Sequence, residues 1–321
     1  MGNQIQTYND PVLQSIIRGY SPKDNDYIHM FLFPTINVKS RKGDIQNVGT
    51  EFLRTSSKLM VSRSGTPEIT VSMSLTDGWS CEINGAQIII TNQDGEKFDP
   101  LDRDAGKEEA RTVFAKMLKC AMWLAREKEA SDACTSTSII TNNTTLSGSS
   151  QWSDFAGSDP LGDFKLGQDT IYDAIGLEAN TAYMSRAVFR SLRFHPQIFE
   201  RIGVNDTANK LKGASQDQLA MALDVDRVLV GRARYESAKE GQTSSMANVW
   251  GKDCGLLYVN PTPTPTEYEF SFGYNFQMQE PSVDYGNLID PRGAEFVRYE
   301  DDRDQLILKA TAAYLIKSAV A

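Results

Sequence analysis

Between Asp104 and Ala130 the apolar residues Ala110, Val113, Phe114, Met117, Leu118, Ala121, Leu124 and Ala125 return at steps of three and four, which sets them on one helical face. About 25 residues at a rise of about 1.5 Å make a rod of roughly 40 Å. Asp102 or Asp104 stands where a carboxylate caps a helix start. Such a rod serves as a spine on which the rest of the chain must pack. Ahead of it, Ile69, Val71, Met73 and Leu75 alternate, and Ile88, Ile89 and Ile90 run together before the turn signal Asp99-Pro100. Both patterns read as strands, so a sheet lies beside the spine.

The remainder is organised around that pair. The first thirty residues mix turn formers with short apolar clusters, Val12-Leu13 and Ile16-Ile17, and read as an arm laid on other surfaces. From Phe31 to Ile69 the chain is rich in Gly, Ser, Thr and charge, with little of its own to bury. A stretch of that kind is either disordered or a projecting hairpin loop that docks on another subunit. Its charges Lys39, Arg41, Lys42, Asp44, Glu51, Arg54, Lys58 and Arg63 are the candidate contacts, because a loop with both signs and few apolar residues gains stability mainly by docking elsewhere.

Beyond the spine, residues 131–158 are dominated by Ser, Thr, Asn and Gly and read as a loop that marks an organisational boundary. Helix-like segments at Leu161 to Ile175, Arg186 to Arg193 and Gln216 to Leu223 then alternate with strand-like Ala182 to Met184, Val228 to Val230 and Leu256 to Val259, a mixed α/β unit. Pro261, Pro263 and Pro265 indicate an extended connector. Glu295 to Tyr299, the acidic stretch Glu300 to Asp304 and the run Leu306 to Ile316 read as a terminal hairpin with a solvated turn, returning to the first sheet.

A chain of 321 residues with 40% hydrophobic content buries a sizeable core, and its net charge of −9 leaves no general basic surface for holding phosphates. Cys81, Cys120, Cys134 and Cys254 lack metal or redox spacing and read as reduced thiols. The start MGNQIQTYND lacks the pattern of a secretory signal, and no apolar run approaches the roughly 20 residues of a membrane span, so the chain is read as soluble and intracellular when made.

Three blocks in order carry a family resemblance. Thr141 to Asp154, TNNTTLSGSSQWSD, is followed by Ser158-Asp159-Pro160; Asn180 to Pro196 is followed by Ile202-Gly203; Val228 to Gly241 is followed by Ser245-Met246-Ala247 and Trp250 to Asp253. With Tyr8 to Leu13 and Phe33-Pro34, the chain resembles the tailed-bacteriophage major capsid proteins of the Hong Kong 97 phage-type fold. The resemblance implies an α+β subunit with an N-terminal arm at 1–37, an extended E-loop at 38–68 and a P-domain at 69–157 and 291–321 that holds the spine helix at about 104–130. An A-domain at 158–290 completes it. It further implies self-assembly through pentamers and hexamers into an icosahedral head around double-stranded DNA, contacted non-specifically, and assembly in the host bacterial cytoplasm. A portal protein and separate scaffold and decoration proteins are the other implied partners; no cofactor, metal or catalytic residue is expected. Encapsulin-type protein shells share the fold and are the alternative, and a cytosolic α/β enzyme is the rival from another class.

The chemistry-bearing residues have plainer readings. His195, within Arg193-Phe194-His195-Pro196, and His29 lack a nucleophile signature and read as turn-stabilising. Trp79, Trp123, Trp152 and Trp250 lack a basic rhythm and read as core anchors. Gly251-Lys252 lacks the other residues of a phosphate loop.

Overall fold

The spine helix is present and longer than its apolar spacing implies, running from Arg103 to Thr135, about 50 Å. Asp102 starts it by accepting from the amides of Asp104 (3.0 Å) and Ala105 (3.2 Å). It continues past Ala130 because polar residues that read as loop find hydrogen-bond partners there. Ser131 Oγ donates to the Val249 carbonyl at 2.9 Å, and Thr135 Oγ1 donates to the Ser131 carbonyl at 2.8 Å.

The computed structural model describes residues 6–21, 27–48, 73–203, 212–239, 241–262, 271–288 and 294–321. The first part of the chain forms β1 (Gln6–Asn9), α1 (Pro11–Gly19), α2 (His29–Leu32), β2 (Thr35–Asn37), β3 (Lys42–Val48), β4 (Met73–Ser80), β5 (Glu82–Ile90), α3 (Asn92–Phe98) and α4, the spine. The middle forms β6 (Asn143–Thr145), α5 (Pro160–Ile175), β7 (Thr181–Ser185), α6 (Arg186–Leu192), α7 (Pro196–Ile202), α8 (Gln216–Leu223), β8 (Arg227–Gly231), β9 (Arg234–Glu236), β10 (Met246–Asn248) and β11 (Cys254–Leu257). Last come β12 (Gly273–Asn287), β13 (Glu295–Ile307) and β14 (Ala313–Lys317). The connector prolines Pro263 and Pro265 lie outside the described residues.

Two sheets share the spine. The first has the order β1-β12-β13-β5, with β2 parallel to β12. Its Ile88, Ile90, Val297 and Tyr299 pack with Ala110, Leu118 and Met122 from the first two thirds of α4. The second has the order β6-β14-β11-β7-β8. Its side chains divide by strand alternation: Ala182, Met184, Leu256 and Ile316 face a core closed by α5, α6 and α8, while Tyr183, Leu257 and Leu315 face Ala130 and Cys134 of the spine with Trp250. Burial on both faces is why these strands read as apolar runs.

The terminal hairpin is corrected by the structure. Glu295–Ile307 is one strand paired with β12 from Gly273↔Ile307 to Asn287↔Glu295. Glu300 to Asp304, expected as a solvated turn, is its middle, and Asp301, Asp302 and Arg303 are buried. The chain then leaves the first sheet, and β14 inserts between β6 and β11 of the second. So β12, from the span expected in the A-domain, lies in the first sheet, and β14, from the span expected in the P-domain, lies in the second.

The amino-terminal segment also finds a seat on its own chain. Asp10 caps α1 by accepting from Val12 N at 2.8 Å, and Leu13 and Ile17, four residues apart, bury together against the spine. The buried Lys119 of α4 donates to the Ile17 carbonyl at 2.7 Å and to that of Tyr20, satisfying carbonyls at the helix end. Leu13 and Ile17 thus seat this stretch on the spine of its own chain.

Candidate assembly interface

β3 and β4 pair only with each other, a two-stranded ribbon outside both sheets among the described residues. Such a ribbon is marginal in water by itself, so its base matters. There Trp79 stacks on Phe276 with ring centroids 5.0 Å apart, and its indole N–H donates to the Ser40 carbonyl at 3.0 Å. The Cys81 amide donates to the Arg41 carbonyl at 2.8 Å, and the Ser80 amide donates to Asp304 Oδ2 at 2.8 Å. Ile36, Val38, Cys81, Tyr274 and Phe276 form a small apolar core beneath. Gly43 and Gly78 cross so closely, beside a register shift between Gly43 and Ile45, that a methyl group on Gly78 would fall inside the Gly43 carbonyl.

The candidate contact residues divide. Lys39, Lys42 and Asp44 are exposed on or just before the ribbon, while Arg41 reaches back to Asp302 of its own chain at 3.1 Å. Glu51, Arg54, Lys58 and Arg63 lie outside the described residues. Sequence reasoning missed the acceptors Asp302 and Asp304, because a run of acids reads as solvated until its distant donors are known. A signal was present: Asp301 and Arg303, two apart with opposite charge, continue the alternation of Val297 and Tyr299 on the strand face that meets the spine.

On that face Arg126 pairs with Asp301, Arg303 reaches Asp301 at 3.1 Å and Glu129 at 2.6 Å, and Arg111 pairs with Glu295 at 2.6 Å. These charges stitch spine to strand. Burial beside this network pushes the Tyr299 hydroxyl up to about 12. A cleft of about 180 Å³ opens alongside, lined by His29, Trp123, Arg126, Asn275 and Arg303 among others.

Glu127, wholly buried on the spine, is the junction of three segments. It accepts from the amides of Ile28 and His29 at 2.9 Å each, contacts His29 Nδ1 at 2.9 Å, and accepts from Trp250 Nε1 at 2.6 Å. His29 is therefore a brace between the amino-terminal segment and the spine. His195 is also buried: Nε2 lies 3.1 Å from Ser158 Oγ, and Phe155 meets the ring edge-on. A serine beside a histidine invites comparison with a nucleophile and its base, but Nδ1 has no hydrogen-bond partner among the described residues, where a triad places a carboxylate. The Ser158 hydroxyl lies 2.6 Å from the Asp154 carbonyl, to which it donates. The pair closes the loop ahead of α5. Trp152 and Trp250 are wholly buried anchors, whereas Trp79 and Trp123 are half-buried at the ribbon base and beside His29.

No family model matches the chain. It is 27% identical over 260 residues to the major capsid protein of Burkholderia phage BcepMu, covering 78% of this chain and 76% of that protein. A phage-related protein from Bordetella bronchiseptica, known as a crystal structure, matches 98% of each chain with a TM-score of 0.69 and 25% identity. In sequence and in fold the chain is similar to phage major capsid proteins. The capsid of cyanophage P-SCSP1u shares the fold at a TM-score of 0.59 over 93% of this chain and 90% of that one, with 10% identity. No helix among the described residues is long and apolar enough to cross a membrane.

Proposed function

We propose that this chain is a major capsid protein that assembles through pentameric and hexameric rings into a closed icosahedral head around double-stranded DNA, and that its work is assembly and not catalysis. The observation that carries the reading is the ribbon β3–β4, anchored at its base and paired with neither sheet. A subunit that extends a limb of this kind gains its missing contacts from a neighbour, and heterologous contacts whose rotation closes produce rings. The limb corresponds to the E-loop of the family resemblance, with Lys39, Lys42 and Asp44 toward the neighbour and Arg41 keeping the base fixed. Modest contacts repeated around a ring sum to a stable shell. The net charge of −9 suits a wall past which DNA slides without sequence-specific binding. The portal, scaffold and decoration proteins are the further partners that the family resemblance implies, and on this reading the assembled chain resides in the virion after assembly in the bacterial cytoplasm.

Electron microscopy of the chain expressed alone in bacteria tests this. Hollow shells or rings are the expected result. A species that stays monomeric by sedimentation at micromolar concentration would overturn it.

A further inference from the structure

The first sheet ends in β5, and among the described residues β5 has a strand on one side only, its partner β13. Exposed edges are usually blunted by lysine, proline or a bulge, since their free N–H and C=O groups invite another strand. Glu82–Ile90 carries none of these. Its register against β13 runs unbroken from Glu82↔Arg303 to Ile90↔Glu295, and Glu82 is its one charged residue. It also presents two large apolar side chains to solvent, Ile83 at 54% and Ile89 at 52% exposure. An odd separation would put these on opposite faces; they are six apart, so they share one.

Their spacing carries the argument further. Ile83 and Ile89 lie three residues either side of Ala86. When two copies of this strand align antiparallel about a two-fold axis at Ala86, Ile83 of each faces Ile89 of the other on one surface. Glu82 then faces Ile90 and Asn84 faces Ile88, so no like charges oppose each other. Such a pairing is isologous, the same patch on both partners, as a two-fold contact requires. Each exposed isoleucine gains a β-branched partner directly across, the arrangement that stabilises paired strands.

We infer that β5 is a self-pairing edge, through which two copies of the chain join their first sheets across a two-fold axis with Ile83 opposite Ile89. The inference rests on the shell reading and deepens it: the ribbon joins copies by reaching over, and β5 joins them edge to edge.

Cysteines at both positions test the register. In the full-length chain carrying Ile83→Cys and Ile89→Cys, mild oxidation of assembled particles is expected to give covalent dimers on a non-reducing gel, with the 83–89 link identified by mass spectrometry. Each single variant is expected to remain monomeric, because two copies of position 83 stand about 20 Å apart in this register. Single variants that dimerise as well as the double one overturn the pairing. Particles that form without the 83–89 link also overturn it while leaving the shell reading intact. If the unsubstituted chain forms no particles, the shell reading fails and this inference falls with it. Ile83→Lys with Ile89→Lys gives an independent measure, since both side chains are half in solvent and the fold tolerates them. A normal far-ultraviolet spectrum with particle yield reduced roughly tenfold or more is expected; unchanged yield overturns the proposal.

Discussion

Glu127 has no contact with solvent, and its carboxylate is held by donors from residues 28, 29 and 250. Replacing it by alanine strands the Trp250 indole N–H and two backbone amides in the interior. The Glu127→Ala chain should lose about 3–5 kcal/mol, the cost of breaking a buried charged cluster from one side. Urea unfolding followed by tryptophan fluorescence measures it; a loss below about 1 kcal/mol would mean that solvent reaches the site. His195 supplies a pH dependence. Burial holds its imidazole below the ordinary 6.5, with the charge of Asp159 opposing. The unfolded chain then binds a proton that the folded chain refuses, so this contribution is whole above the unfolded value and declines as pH falls through it toward the folded one. The urea midpoint should drop more steeply between about pH 7.5 and 5.5 in the unsubstituted chain than in His195→Gln. Equal slopes would show that His195 is not the group responsible.

At the scale of elements, the spine helix was legible in the spacing of Ala110, Phe114, Leu118 and Ala121, and its length was not. Helical periodicity ends where the apolar residues end, whereas the helix ends where its hydrogen bonds are no longer met, and the Ser131 contact to Val249 is invisible in one dimension. The ribbon shows the same division. Its polar composition left disorder and a projecting hairpin loop both open, and the crossing of Gly43 and Gly78 appears only when the strands pair. Gly78→Val places a side chain into the Gly43 carbonyl, and overpacking of this kind costs about 1–3 kcal/mol. The sheets should keep their circular dichroism while limited proteolysis cleaves the ribbon faster and particle yield falls. A variant that assembles normally would separate the ribbon base from assembly.

For the whole molecule, the exchange of strands between the sheets has a mechanical consequence. β13 completes the first sheet, β14 completes the second, and few residues lie between them. Each sheet also packs on the spine, so loss of either strips α4 of one of its two packing surfaces and weakens the support of the other. The chain should therefore unfold in one transition, with far-ultraviolet dichroism and tryptophan fluorescence giving the same midpoint. Two separated midpoints would reveal independent halves. Periodicity in the sequence determined the element types here, the rod, the alternating strands and the apolar runs, because those patterns arise from local backbone geometry that each segment carries with it. Only the tertiary structure decided that Asp301 and Asp302 are buried, that 295–307 pairs backward with 273–287, and that 313–317 changes sheets. Those outcomes depend on partners far away along the chain, Arg126, Arg41 and the strands of the second sheet, and a charge or a strand edge is at home in the interior only where such a partner arrives to meet it.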